Sequence, residues 1–160
     1  MKRLFLDTNV LVDLICHREP YDKESKRLFA LAFTNKICIG LSALSYINTV
    51  YIAKKYGFST KKVIENLNRI ACFTTITNLE ENTIKDAMNC GWNDFEDAVQ
   101  YHSSLPFAAD YIITRNLKDF ANSNIPVYTP AEFLQIPYWM DEQNSTVLNE
   151  PEIPYGKITE

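Results

Sequence analysis

Glycine and histidine are scarce in this chain of 160 residues, with four of the first and two of the second. The glycines, at 40, 57, 91 and 156, form neither G-x-G-x-x-G nor a Walker A loop, so no backbone cradle for a phosphate chain is visible. Dinucleotide and nucleoside-triphosphate enzymes are therefore disfavoured, and no nucleotide cofactor is expected. Neither His17 nor His102 pairs with a nucleophile in any visible arrangement, which disfavours Ser-His-Asp hydrolysis. Cys16, Cys38, Cys72 and Cys90 stand alone in apolar segments, with no C-x-x-C spacing and no neighbouring histidine. Buried free thiols in a reducing cytoplasm are expected rather than zinc or disulfides. The longest apolar run falls far short of a membrane span. The opening "MKRLFLDTNV" is interrupted by Asp7 and lacks a small-residue cleavage site, so neither a signal peptide nor a membrane role is expected. Positive charge is not in excess either: 16 basic against 20 acidic residues give a net charge of −4, which argues against an indiscriminate nucleic-acid coat and leaves room for a local basic groove.

What is present is one domain's worth of globular sequence. With 46 % hydrophobic and 22 % charged residues, a chain this long buries roughly 70 % of its unfolded surface and needs no metal to fold, so any metal serves chemistry. Period and capping predict the order of elements. "RLFLDT" is a buried strand, followed by helices over 9–17 and 21–34. "KICIGLS" is the second strand, followed by helices over 43–55 and 60–70. "CFTTIT" is the third strand, before helices over 79–90 and 94–104. "DYIIT" and "IPVYT" are the fourth and fifth strands, and "PAEFL" starts a last helix at Pro130. Strands separated by helices predict right-handed crossovers and a parallel sheet covered on both faces, an α/β three-layer sandwich of about five strands. In such sheets a ligand site lies beyond the carboxyl ends of the strands, where strand order reverses.

Acids gather at those ends. Asp7 closes the first strand, "NDFED" opens the helix at 94, and "TRNLKDF" follows the fourth strand with Asn116 and Asp119. Taken singly, Asp7 reads as a helix cap, with Thr8 and Asn9 as alternative caps, and Asp119 reads as a turn residue. In "NDFED", residues three apart share a helix face, so Asp94 and Asp97 look one way and Glu96 another. Asn93 with Glu96 three positions later has the form of a capping box, which assigns Glu96 to the helix end. Divalent hard cations take carboxylate oxygens, and a clustered set of acids would be expensive to keep ionised without one.

The ordered set "FLDTNVLVDL", "DFEDAVQYHSSL" and "DYIITRNLKDF" with "IPVYTPAEFL" resembles the PIN domain, as in VapC-like toxins, over about residues 2 to 135. The resemblance implies a Rossmann-like α/β/α sandwich and a ribonuclease site dependent on Mg²⁺ or Mn²⁺. It also implies an RNA substrate, an antitoxin protein as partner and a homodimer, while the unpaired cysteines give the expected cytoplasmic location. It gives Asp7 and Asp97 as first ligands, with Asp94 and Asp119 as inner or water-mediated partners; either Asn116 or Asp119 takes the place near the metal. Thr8, Asn9, Thr114, Arg115 and Lys118 are the expected substrate contacts. Where the resemblance leads one to expect a glutamate, six residues after the cap Ser42, stands Asn48. Asn48 falls in the stripe Leu44, Ile47, Tyr51, which predicts that it faces the fold, as a satisfied core amide or as a neutral ligand or water-holder in the site.

Two functions stay open: a metal-dependent endoribonuclease, and a catalytically weak PIN-like module acting through protein or RNA partners. Aspartyl-phosphate chemistry also uses an Asp ending a first strand, but position 9 is Asn where D-x-D-x-T requires an acid. Basic runs at 53–55 and 60–62 carry no base-reading pattern and read as solvated charge. From residue 137 the text turns to three prolines and five acids without periodicity. It reads as an arm, extended or disordered, appended to a domain over 1–136.

Overall fold

A computed structural model describes residues 1–136; the expected arm over 137–160 lies outside the described residues. The elements run β1 (Lys2–Leu6), α1 (Thr8–Ile15), α2 (Asp22–Phe33), β2 (Ile37–Ser42), α3 (Ala43–Lys55), α4 (Thr60–Ala71) and β3 (Thr75–Thr77). After these come α5 (Glu81–Asn89), α6 (Phe95–Ser104), β4 (Tyr111–Ile113), a short 3-10 turn (Leu117–Phe120), β5 (Val127–Tyr128) and α7 (Pro130–Leu134). The strands form one parallel sheet in the order β3-β2-β1-β4-β5. From β1 the chain steps outward twice, then returns to the other side of β1. Strand order therefore reverses between β1 and β4, and a crevice opens at their carboxyl ends, just after Leu6 and Ile113.

Alternation within the strands builds the two covered faces. Leu4, Leu6, Ile37, Ile39 and Leu41 point into a core shared with α1, α2, α4 and α7. Phe5 and Ile112 point the other way, against Tyr101, Phe107 and Phe120. Gly40 in β2 is explained by this second face, because a Cβ there would stand 2.7 Å from the Phe107 ring. The ring packs directly on the strand backbone, as only glycine allows.

Two expectations are corrected. The third strand is shorter than "CFTTIT": Cys72 belongs to the end of α4, and of the four thiols expected to be buried only Cys16 is, with Cys38 and Cys90 half-buried and Cys72 exposed. In α3 the inward residues are Ser45, Thr49 and Ala53, whereas Ile47 and Tyr51 are 65 % and 61 % exposed. Small side chains let α3 approach its neighbours closely. The apolar stripe that would ordinarily mark the buried face is left outside, and Asn48 sits at the rim, half-buried, rather than facing the core.

Candidate functional site

Asp7 ends β1 and sits at the N-cap of α1, yet its side chain does not cap that helix. Its Oδ2 instead accepts hydrogen bonds from the Thr114 hydroxyl at 2.7 Å and from the Asn9 amide. Thr114 Oγ1 also accepts from Asn9 Nδ2 and from the Asn116 N–H, each at 3.0 Å. Both of those partners can only donate, so the hydroxyl proton must go to Asp7. Asn9 Oδ1 accepts from the Arg115 N–H at 3.2 Å, which settles the orientation of its amide. Asp7 is thus held across the β1–β4 seam by side-chain donors from both strand ends, Thr114 and Asn9, acting on one oxygen.

The positions around Asp7 were expected to contact substrate, and most are occupied otherwise. Thr114 is fully buried, and Thr8 is nearly so. Thr8 Oγ1 belongs to a buried network in which it accepts from Gln100 Nε2 at 2.7 Å and lies 3.0 Å from Ser45 Oγ. Ser42 Oγ donates to Gln100 Oε1 at 2.8 Å, and Gln100 Nε2 also donates to Ser45 Oγ at 3.0 Å. This network ties α1, α3 and α6 together beneath the crevice. Arg115 turns away from any phosphate: its Nε lies 2.9 Å from Oδ2 of the buried Asp13, and its guanidinium covers the Tyr21 ring at 4.3 Å. Arg18 approaches Asp13 from another side at 3.5 Å. These are charge contacts rather than aligned hydrogen bonds, since the Asp13 oxygens and Arg115 Nε lack hydrogen-bond partners. Burial still holds the Asp13 carboxyl up at about 6, despite both guanidinium groups. Of the expected substrate contacts, Lys118 is exposed, beside Asn116 and Asp119 on the turn after β4.

The acids of α6 divide differently from the capping-box pattern. Gly91, at φ +75, turns the chain after α5, and Trp92 stacks on Tyr101 at 5.0 Å and meets Phe120 edge-on at 5.8 Å, anchoring the entry to α6. The N-cap is then Asp94, not Asn93: Asp94 Oδ1 accepts from the N–H of Glu96 at 2.8 Å and of Asp97 at 3.2 Å. Glu96 does not close a capping box. Its Oε1 accepts from Asn48 Nδ2 on α3 at 2.6 Å.

Asp97, in the first turn of α6, lies close enough to Asp7 to feel its charge. Burial pushes the Asp97 carboxyl up to about 7, and the charges of Asp7, Asp94, Asp119 and Glu96 push the same way. Burial likewise raises Asp7 to about 6, against the favourable Thr114 hydroxyl and Thr8 N–H, with Glu96 and Asp119 adding to the rise. Every formal charge acting on these two groups is negative. Such a set of hard oxygens fits a divalent cation, which would supply the missing counter-charge. Among the described residues no three His, Cys, Asp or Glu side chains stand together as one metal-holding group. The expected four-acid ligand set is thus not assembled as such, in part because the Asp94 carboxylate is turned to its own helix. Asp7 and Asp97 would be the direct ligands, and one or two carboxylates completed by waters suffice for Mg²⁺.

Sequence reasoning missed Gln100, Ser45 and Asp13. Gln100 had a legible signal, since it lies three residues after Asp97 and so on the same face of α6.

Comparison with known proteins gives a family model described as "PIN domain" over residues 3–118. No curated protein matches significantly. Among solved structures, a toxin–antitoxin complex from Klebsiella pneumoniae is 25 % identical, with a TM-score of 0.55 over 79 % of this chain and 97 % of that one. VapBC2 from Rickettsia felis, bound to a DNA fragment from its promoter, is 16 % identical, with a TM-score of 0.58 over 79 % of this chain and 98 % of that one. FitAB bound to a DNA fragment is 14 % identical, with a TM-score of 0.53 over 79 % and 94 %. The last two likenesses concern the fold. Among the described residues no helix is long and apolar enough to cross a membrane.

Proposed function

The chain belongs to the PIN domain family, and from that premise we propose that it is a divalent-metal-dependent endoribonuclease and the toxin of a toxin–antitoxin pair. The observation that carries the nuclease reading is the balance of charge at the crevice. Asp7 and Asp97, on different elements, are raised by burial and by acids alone. Groups so arranged repel one another until a cation joins them, and cluster at functional sites more often than elsewhere.

A bound Mg²⁺ or Mn²⁺ would make a coordinated water more acidic and supply a counter-charge for the phosphate oxygens. The chain's own residues do the rest. Asp7 and Asp97 would hold the ion, and Thr114 and Asn9 keep Asp7 in one orientation. Gln100, through Thr8 and Ser45, fixes α6 against α1 and α3 and with it the approach of Asp97. Asp119 adds negative charge felt by both acids, and the exposed Lys118 and Asn116 beside it are the groups we assign to the RNA backbone. The similarity to a toxin–antitoxin complex supports an antitoxin as partner. A homodimer and a cytoplasmic location complete the proposal.

A second reading, a binding module without catalysis, is favoured by the lack of three joined metal ligands among the described residues. One experiment separates them. The full chain is incubated with a fluorophore–quencher RNA in Mn²⁺ and in EDTA, beside Asp97→Asn. Cleavage in Mn²⁺ alone, lost in Asp97→Asn, is the expected result. RNA binding with no cleavage under either condition would favour the module.

A further inference from the structure

We propose that Glu96 is a working acid of this site: a carboxylate held at the crevice rim by the Asn48 amide, accepting a hydrogen bond from a water of the ion that Asp7 and Asp97 would hold. The inference rests on the nuclease reading and adds a residue to it.

The first turn of α6 carries three acids, and each has a different occupation. Asp94 spends Oδ1 on two backbone N–H groups of its own helix. Asp97 lies close enough to Asp7 to feel its charge. Glu96 is in the helix but does not serve it, since its Oε1 is taken by a side chain 48 residues earlier in the sequence, at 2.6 Å. The partner on α3 is an amide, and this choice matters. A neutral N–H donor fixes the carboxylate without cancelling its charge, whereas a lysine or arginine would neutralise it. Asp13 shows the contrast, a buried acid answered by two guanidinium groups, as a carboxylate meant only for structure tends to be.

The bond also has a rigid footing. Ser45 lies three residues before Asn48, and Gln100 lies four after Glu96, so each pair shares a helix face. Ser45 with Gln100 is the buried rung of the α3–α6 seam, and Asn48 with Glu96 is its rim rung. The lower rung fixes the spacing at which the upper one forms. The Glu96 charge acts on both Asp7 and Asp97, which places the carboxylate near the two expected ligands.

The test is Mn²⁺ titration by calorimetry on the full-length protein, with thermal melts with and without Mn²⁺. Glu96→Gln keeps an oxygen for the Asn48 amide and removes the charge. Residues that orient or bridge to a metal's ligands typically change affinity by about 10- to 100-fold, and a loss at the lower end, roughly tenfold, is expected here because the carboxylate is exposed. The metal-free melt should hold or rise, since one repulsive charge has gone, and the gain in melting temperature with Mn²⁺ should shrink. The exchange Asn48→Glu with Glu96→Asn, which returns the charge from the other helix, should recover most of the affinity. If Glu96→Gln binds Mn²⁺ as the wild type does while Asp97→Asn has lost it, this inference fails and the nuclease reading stands. If the wild type binds no Mn²⁺, or Asp97→Asn binds it equally well, both fall together.

Discussion

Two seams meet at the crevice, and they are built on different principles. The β1–β4 seam is dry: Asp7 is 7 % exposed and Thr114 not at all, and the side-chain donors to Asp7 come from within three residues of a strand end. Asn9 stands three residues and Thr114 one residue past a strand end, and pairing Leu6 with Ile113 brings these following residues into contact. The α3–α6 seam has a buried rung at Ser45 and Gln100 and a wet rung at Asn48 and Glu96. Here helix packing sets the contact, and the outer groups remain hydrated. The dry seam makes one carboxylate immobile. The wet seam places negative charge near it without the full desolvation penalty of burial.

The largest effects should come from removing the two most perturbed carboxylates of the crevice. Asp7→Asn and Asp97→Asn should each reduce RNA cleavage to below about 1 % of wild type, because removing a ligand should exceed the 10- to 100-fold typical of outer residues. Circular dichroism should show an intact fold, since neither carboxylate is needed by the core. Retained cleavage in either mutant would sink the site.

Next in size is Arg115, which belongs to the dry seam. Arg115→Ala would leave Asp13 fully buried with Arg18 at 3.5 Å as its remaining ion partner. Breaking a buried pair costs about 3–5 kcal/mol; since Arg115 is itself partly exposed, about 1–3 kcal/mol in urea unfolding is expected. Lys118→Ala should leave stability unchanged and weaken RNA binding, more so at low salt. If the two mutants behaved alike in both assays, the division between a structural and a substrate-facing cation would be wrong.

Much of this was legible from residue order. The helix over 43–55 and the Pro130 helix form with the expected bounds, because Ser42 and Thr129 cap them with side-chain oxygens. Asp7 at a strand end and Asp97 in a helix's first turn follow from period alone. Asp94 and Glu96 did not. Asn93 and Asp94 are both good caps, and tertiary anchoring through Trp92, which no spacing rule contains, selects the second. Asn48 was misplaced for a related reason. Its helix buries Ser45, Thr49 and Ala53 and exposes Ile47 and Tyr51, so hydropathy periodicity points to the wrong face. Arg115 looked free beside the acids because Asp13, one turn into α1, is a contact of the third dimension.

A smaller effect, spread over both seams, is the dependence of stability on pH. Asp7 and Asp13 near 6 and Asp97 near 7 all lie above the ordinary value of 3.8. The folded chain therefore binds more protons than the unfolded one between about pH 4 and 7, and its stability falls as pH rises through that window. The metal-free protein should melt lower at pH 8 than at pH 5, and Asp97→Asn should flatten the slope. Saturating Mn²⁺ should oppose the fall, because the ion binds the ionised acids. A metal-free melting temperature that climbs from pH 5 to 8 would contradict the charge balance at the crevice.

The smallest expected effect, and the one that sharpens the comparison most, is Asn48→Glu alone. In a dry seam the substitution would bury a second carboxylate beside the first, and the fold would lose several kcal/mol. At the rim, both carboxylates remain in contact with water, so the exchange replaces an attraction at 2.6 Å with a screened repulsion, and the two side chains can swing apart. The metal-free melt should fall by only a few °C, the size expected of a change below about 1 kcal/mol in a domain of this length. Salt should shrink the deficit, because exposed like charges are screened. Mn²⁺ should reverse it, because the added negative charge strengthens attraction for a dication at the same crevice. A melt lowered by ten degrees or more, insensitive to salt and to Mn²⁺, would show that the α3–α6 seam is as dry as the β1–β4 seam and that Asn48 is a packed amide after all.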